Sequence, residues 1–317
     1  MCIRDSPTSY EKTHTNSEAK ELFEKNENSE KNVDEAIQVS LAGRVMAIRQ
    51  MGKAVFIDID DSTAKIQLHL KEDILQNDFI LLDQLDIGDF IGTSGKLFRT
   101  RRGEITLESD TMTFLAKSLK PPPEKWHGLK NVEIRYRQRY LDLLSNRDVT
   151  NIFFKRSKII SSIRNFMESQ SFIEVETPVL VPIAAGAMAQ PFVTQHNALN
   201  QTLYMRIATE LYLKRLIIGG MDKVFEIGRV FRNEGIDMNH NPEFTMMESY
   251  EAYADYNQVM QMVENLVNKV ANECVNSTSV EFQGNTIELK SPWQRISMKD
   301  AIKEYSGIDL DLSLIHI

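Results

Sequence analysis

The sequence predicts an α+β protein in two parts, a small β-barrel followed by an antiparallel sheet flanked by helices. Three observations predict it. Between Ile37 and Ala116, short runs of Val, Ile, Leu and Phe are punctuated by Gly43, Gly52, Gly88, Gly92, Gly95 and Gly103, the texture of strands and turns. Pro121, Pro122 and Pro123 then stiffen the chain and remove backbone donors, as a domain boundary does. Beyond them, helical periodicity and β-like alternation take turns as far as Val275.

Residues 7–36 are rich in Glu, Lys, Asn and Ser, which predicts a solvated, partly helical or disordered polar arm without chemistry. The barrel is expected over 37–120. VSLAGRVMAI, KAVFIDIDD, KIQLHL, DFIGTSGKLF and EITLESDTMTFL are five strand-sized segments, and KEDILQNDFILLDQ between the third and fourth is the helical-looking part. Five strands with a helix before the fourth suggest an OB-type barrel, with any small β-barrel as the alternative. On such a surface Phe56 can stack an unpaired base, while Arg49 and Gln67 can read base edges or phosphates; taken alone, Phe56 reads first as core. KLFRTRRG sets Lys96, Arg99, Arg101 and Arg102 around a hairpin that either tracks a phosphate backbone or is a solvated turn.

A hinge is expected over 121–150, where EIRYRQRYLDLLSN places Ile134, Tyr136, Tyr140, Leu141 and Leu144 among Arg135, Arg137 and Arg139, an amphipathic bridge facing RNA or water. From Phe153 to Gln170 the apolar spacing predicts a long helix, and FIEVETPVL predicts an extended strand stopped by Pro178. QTLYMRIATELYLKRLIIGG reads as a strand running into a helix that ends at Gly219 and Gly220. KVFEIGRVFRNEG and PEFTMMESYEAYAD are alternating segments joined by the polar loop Gly235 to Asn241, hence antiparallel, and an amphipathic helix follows.

Composition narrows the classes. At 317 residues and 42% hydrophobic content the chain can fill two cores of the usual ~100–200 residues. No run approaches the ~18–20 apolar residues of a membrane helix, and no basic region leads into an apolar run, so a cytoplasmic protein without a membrane partner is expected. Cys2 and Cys274 make neither a disulfide framework nor a zinc site, and Cys274 is expected to be a packed thiol. A net charge of −8 argues against DNA binding and confines RNA contact to local surfaces.

The chemistry concentrates in FRNEGIDMNHNPEFTMMESY, where Arg232, Glu234, His240, Asn241, Glu243, Phe244 and Glu248 crowd a hairpin beyond what folding requires. Residues two apart on a strand share a face, which groups Arg232 with Glu234, and Phe244 with Met246, Glu248 and Tyr250. Arginine holds a phosphate or carboxylate bidentately, phenylalanine stacks an adenine, and carboxylates receive an ammonium.

That segment resembles the second signature motif of the class II lysyl-tRNA synthetases. FIEVETPVL resembles their first motif, RIATELYLKR their amino-acid pocket segment, and GKAVF with KIQL their anticodon barrel, so the resemblance spans 37–311. It implies an OB-fold anticodon domain followed, over 151–311, by the N-terminal part of a class II synthetase catalytic domain, and ATP-dependent activation of L-lysine with transfer to tRNA(Lys). It implies that Arg232 is catalytic, that Arg232, Glu234, His240, Asn241 and Phe244 bind ATP, and that Gly186, Glu210, Glu248 and Tyr250 bind lysine. Arg49, Phe56, Gln67 and Glu104 match anticodon contacts. The implied partners are ATP with Mg2+, L-lysine, tRNA(Lys) and a second copy through the first motif. An aspartyl or asparaginyl relative, or a non-catalytic tRNA-binding paralogue, is the alternative.

Two departures stand out. Ala185 occupies a position where the family often has glycine, and the third motif with its magnesium-holding acidic residues is absent, leaving no metal ligands expected in this segment. Met1–Ser6 and Leu312–Ile317 can be encoded by strings that are reverse complements apart from their edges, resembling the inverted end a transposase inserts during library preparation. The natural segment is therefore expected to be about Pro7–Asp311, cut short, and at best feebly active as printed.

Overall fold

The structure, a computed structural model, describes residues 7–27, 37–123, 129–237 and 239–310. The expected end tags, and residues 28–36 of the arm, lie outside them. The chain forms two compact bodies, residues 1–149 and 150–317.

In the first body, helix α1 (Asn16–Glu27) precedes strands β1 (Gln38–Met51), β2 (Ala54–Asp60) and β3 (Lys65–Lys71). The short helix α2 (Glu72–Leu75) and a 3-10 turn over Gln76–Gln84 follow, then β4 (Phe90–Arg99) and β5 (Ile105–Ala116). The strands close a barrel in the order β1-β2-β3-β5-β4, with β3 and β5 parallel and the other pairs antiparallel. Alternation sends Val55, Ile57 and Ile59 of β2 and Ile66, Leu68 and Leu70 of β3 into one apolar core. A Cβ on Gly95 would lie 1.9 Å from the Glu108 carbonyl oxygen, so glycine is what lets β4 approach β5 at its bulge.

The expectation of a solvated arm is corrected over its described part. Ala19 is fully buried, and Leu22 and Phe23 pack against the barrel core. Asn16 is also buried: its backbone N–H donates to the Asp61 carboxylate at 2.9 Å and its side-chain amide to the Ala64 carbonyl at 2.9 Å. The Tyr10 ring covers Gly92, and Arg99, one of the basic hairpin residues, bonds Glu27 of α1 at 2.5 Å. A stripe of three apolar residues at helical spacing is enough to seat a short helix, and an average over a polar segment hides it.

The bridge is two helices, α3 (Val132–Arg137) and α4 (Arg139–Ser145), broken at Gln138. Its centre is ionic rather than apolar. The Asp142 carboxylate is fully buried and accepts from Arg135 Nε at 2.8 Å, from Arg139, and from Asn146 at 2.6 Å, while Tyr136 and Tyr140 are exposed. Two of the three arginines read as facing RNA or water therefore turn inward, because a buried carboxylate needs compensating donors.

In the second body, α5 (Arg147–Ser169) is the expected long helix. The segment expected as one strand holds only β6 (Ile173–Glu174) and β7 (Leu180–Val181), separated around Pro178, which has no N–H to continue a ladder. β9 (Gln201–Met205) pairs with both β7 and β8 (Val193–His196) in a three-stranded sheet, and α6 (Glu210–Ile218) ends at Gly219, with Gly220 at φ +94°. β10 (Lys223–Phe231) and β11 (Glu243–Glu251) form the expected antiparallel pair, with β6 alongside β10. α7 (Tyr256–Val275) opens on a capping box of Asp255 and Gln258 and buries Cys274. A hairpin of β12 (Ser279–Phe282) and β13 (Asn285–Glu288), then α8 (Met298–Ser306), complete the body. Phe166, Met167, Phe172, Phe225 and Leu266 form its apolar core. Among the described residues no helix is long and apolar enough to cross a membrane.

Because Asn16 is the polar anchor of α1, Asn16→Ala removes a buried hydrogen bond of roughly 1–2 kcal/mol. Limited proteolysis should then cut within Asn16–Glu27 about tenfold faster while leaving the barrel strands intact.

Candidate active site and barrel face

The hairpin of β10 and β11 supplies one wall of the site in the second body. Register pairs Val230 with Phe244 and Glu226 with Glu248. Phe244, Met246, Glu248 and Tyr250 therefore share the face expected of them. Arg232 and Glu234 do not: β10 ends at Phe231, and the Glu234 N–H turns back to the Arg232 carbonyl at 2.9 Å, so the expected strand alternation stops short of both.

Arg232 is nonetheless well fixed. Its backbone N–H donates to the Pro242 carbonyl at 2.8 Å, its Nε to the Ile207 carbonyl at 3.4 Å, and its guanidinium lies 5.2 Å from the centre of the Phe244 ring. A cation held over an aromatic face beside an open polar loop is suited to an anion flanked by a flat ring. Glu234 accepts from the Gln190 N–H at 3.4 Å, and Asn233 donates to the Gln190 carbonyl at 2.7 Å, tying the loop after Gly186 to the hairpin. Asn241 is exposed on the same turn. His240 is held by Asp237, whose carboxylate meets its Nδ1 at 2.7 Å and also accepts the Asn239 and His240 backbone N–H groups. Those contacts, the Asn239 N–H foremost and then His240, hold the Asp237 carboxyl below the usual range.

The carboxylates gather where α6 begins. Glu248 accepts from the Thr209 N–H at 3.1 Å and lies 3.4 Å from the Tyr250 hydroxyl. Glu210, the first residue of α6, bonds Lys214 at 2.5 Å. Burial first, then the negative Glu248 and Glu210, push the Tyr250 phenol up to about 12. Gly186, at φ +93°, closes this corner: a Cβ there would lie 2.9 Å from Ala208 Cβ and 3.1 Å from Glu210 Cβ. The structure thus brings Gly186, Glu210, Glu248 and Tyr250 together, and Arg232 with Phe244. Among the described residues, no group of three or more His, Cys, Asp or Glu side chains is placed to hold a metal ion.

Sequence reading missed the residues beneath this wall. Arg206 and Glu226 form a buried ion pair, and Glu226 also accepts from the Thr177 hydroxyl at 2.6 Å. Thr209 is buried with its hydroxyl unpartnered. An arginine two residues before an Ala-Thr step carries no signal of burial on its own. Gly228 was the available clue, since glycine inside a strand marks a close approach, here of the Arg206 guanidinium.

In the first body, Arg49, Phe56 and Gln67 lie on one outer face of the barrel. Arg49 is paired with Phe56 in register and holds Asp58 in a two-pronged bond, at 3.1 and 2.7 Å. Phe56 is half-buried, lies outside the apolar core and stacks on His69, ring centres 4.6 Å apart and nearly parallel. Gln67 is buried and accepts from the Thr106 hydroxyl at 3.1 Å. Glu104 stands apart from that cluster, exposed in the turn before β5, with its carbonyl 3.4 Å from the same hydroxyl. Asp58, His69 and Thr106 complete this face and were not anticipated. Burial first, then Lys71, lower the His69 pKa, so the ring is neutral at neutral pH.

A closed barrel with a ring stack on its outer face is followed by a hairpin that sets an arginine over a phenylalanine beside an acidic corner, and comparison with known families identifies the class of protein. The family model of the class II tRNA synthetases (D, K and N) matches residues 131–313, and that of the OB-fold nucleic acid binding domain matches residues 39–115. The chain belongs to the class II tRNA synthetase family. Individual relatives narrow the likeness: the lysine–tRNA ligase of Clostridium tetani is 52% identical over 96% of this chain and 59% of its own length. Those of Dehalococcoides mccartyi (52%; 97% and 61%) and Moorella thermoacetica (50%; 95% and 60%) are similar to the same degree. The chain spans about 60% of the length of these curated relatives.

Gly186→Ala combines a left-handed backbone penalty of about 1–2 kcal/mol with a clash against Ala208 and Glu210. Thermal denaturation should show a midpoint lowered by several degrees relative to the parent. Because the folded Tyr250 phenol sits near 12 against 10.0 unperturbed, the folded state holds this proton more tightly. Its contribution to stability is complete below pH 10 and is lost as pH rises towards 12. The Tyr250 phenolate absorbance should titrate late and move down, though not fully to 10, in Glu248→Gln.

Proposed function

We propose that this chain carries the amino-acid activation site and the anticodon-reading barrel of a lysine–tRNA ligase. The observation that carries the reading is the convergence in one body of Arg232 over Phe244 with the acidic corner of Glu210, Glu248 and Tyr250. The names of the relatives support it.

In this reading Phe244 stacks the adenine, and Arg232 bonds the ATP α-phosphate and the lysine carboxylate. Glu234, His240 and Asn241 hold the rest of the nucleotide. Glu210 and Glu248, steered by Gly186 and Tyr250, take the two ammonium groups of lysine, which would be costly to desolvate without opposite charge. The lysine carboxylate oxygen attacks the α-phosphorus, the bond to the β-phosphate oxygen breaks, and lysyl-adenylate and pyrophosphate form. A ribose hydroxyl at the tRNA end then displaces AMP. Arg232 lowers the barrier by meeting the charge that builds on the phosphoryl oxygens, and the hairpin does the positioning. Mg2+ enters as the counter-ion of ATP, and no step is assigned to it because the described residues supply no ligand set.

On the barrel, Phe56 stacks an anticodon base while Arg49 and Gln67, with Glu104 at the rim, read its neighbours. Exposed Ile152, Phe153 and Phe154 of α5, with Ile173, Val179 and Leu180, offer the apolar face for a second copy. In this reading the protein works in the cytoplasm, where tRNA is charged for translation.

The test is lysine-dependent ATP–pyrophosphate exchange on the chain completed to the length of its relatives, with aspartate and asparagine as competitors. Exchange with lysine alone is the expected result. Arg232→Ala should lower it by about 10²–10³-fold. Phe56→Ala should leave exchange intact and weaken tRNA charging about tenfold, in line with the roughly 1–3 kcal/mol of a base–aromatic stack. Exchange with no amino acid from a folded protein would overturn the reading.

A further inference from the structure

We propose that Arg206 is a positioning residue for the site, setting the backbone on which Arg232 and Glu248 depend without touching substrate. This rests on the function proposed above for that site.

The guanidinium is buried against two segments far apart in sequence, the run around Thr177 and strand β10. Its Nε donates to the Arg229 carbonyl at 2.9 Å in β10. Its Nη1 donates to the Thr177 carbonyl at 3.1 Å, the Thr177 hydroxyl at 3.2 Å, and Glu226. Glu226 in turn accepts from Thr177 at 2.6 Å, so charge and hydroxyl form one closed set. Space for it exists only because residue 228 is glycine: a Cβ there would sit 2.2 Å from Nη2.

The backbone of the same residue is equally committed. The Arg206 N–H donates to the Val179 carbonyl and its carbonyl accepts the Phe231 N–H, each at 2.9 Å. The segment 205–209 is thereby laid between residues 175–181 and the end of β10. What it presents is the functional part. The Ile207 carbonyl receives Arg232 Nε, and the Thr209 N–H holds Glu248. One side chain thus fixes the separation between the anion-binding arginine and the acidic corner. Helix α6 and Glu210 begin immediately afterwards. A planar five-donor fork is required, since a lysine ammonium cannot meet Thr177, Glu226 and Arg229 in one plane.

The test compares Arg206→Lys, Gly228→Ala and the volume-keeping double variant Arg206→Met/Glu226→Met in the length-completed protein. The first readout is amide hydrogen exchange on the folded state, which requires no substrate. Protection should fall in 175–181, 205–209 and 229–232 and persist in α7; parental protection in those segments would overturn the proposal. The second is kcat per active site titrated by adenylate formation. It should fall by about a hundredfold, the scale of an ångström-sized misplacement, with a raised lysine KM. The double variant should recover thermal stability but not kcat. Recovery of both, or parental kcat and KM in Gly228→Ala, would show a merely structural role and overturn it. Absence of lysine-dependent exchange in the parent defeats the function reading alone, and the exchange of amide hydrogens still decides the role of Arg206.

Discussion

Two opposite charges sealed away from water, Arg206 and Glu226, are the constraint around which the second body is arranged. Desolvating such a pair costs several kcal/mol per ion, which its mutual attraction offsets only when the remaining donors and acceptors are met. Here they are met by Thr177 and by the Arg229 carbonyl, groups from segments far apart in sequence. The pair therefore does not merely tolerate this arrangement of chain; it has low energy only in this arrangement. The extended run after β6, the junction before α6 and the end of β10 are held in one geometry because any other leaves a buried charge unpaired.

The first body solves a different problem. Its barrel closes by glycine at the crossing of β4 and β5 and by an apolar interior drawn from alternating positions. The outer face is then free to carry Phe56, His69, Arg49 and Asp58 without disturbing the core. α1 is seated by a few apolar residues and one buried amide, so a segment of polar composition still becomes part of a packed body.

Elements whose signal is periodic were legible in the sequence. The five strands, α5, the β10–β11 pair and α7 follow from alternation and helical spacing, and Phe244, Glu248 and Tyr250 share a face for the same reason. Misread elements depend on contacts that sequence spacing does not encode. α1 needed the barrel to reveal its stripe, Asp142 needed the arginines that surround it, and FIEVETPVL broke up around Pro178 because nothing local shows which of its residues find a partner strand. Arg232 and Glu234 were legible as chemistry but not as geometry, since the end of β10 is set by a turn within its own loop. Arg206 looked like one basic residue among several until its surroundings showed it enclosed.

The bond between Arg49 and Asp58 bears on how such a face would select RNA in the role proposed for it. Its arginine is not idle: it holds a carboxylate in a two-pronged grip, with half of its own side chain open to solvent. A nucleotide must therefore offer more than that carboxylate does, and only the surplus appears as affinity. Such an exchange of partners makes recognition shallow in absolute strength and steep in comparison between bases. In the proposed role such a trade would keep discrimination while the residence time of a charged tRNA stays short.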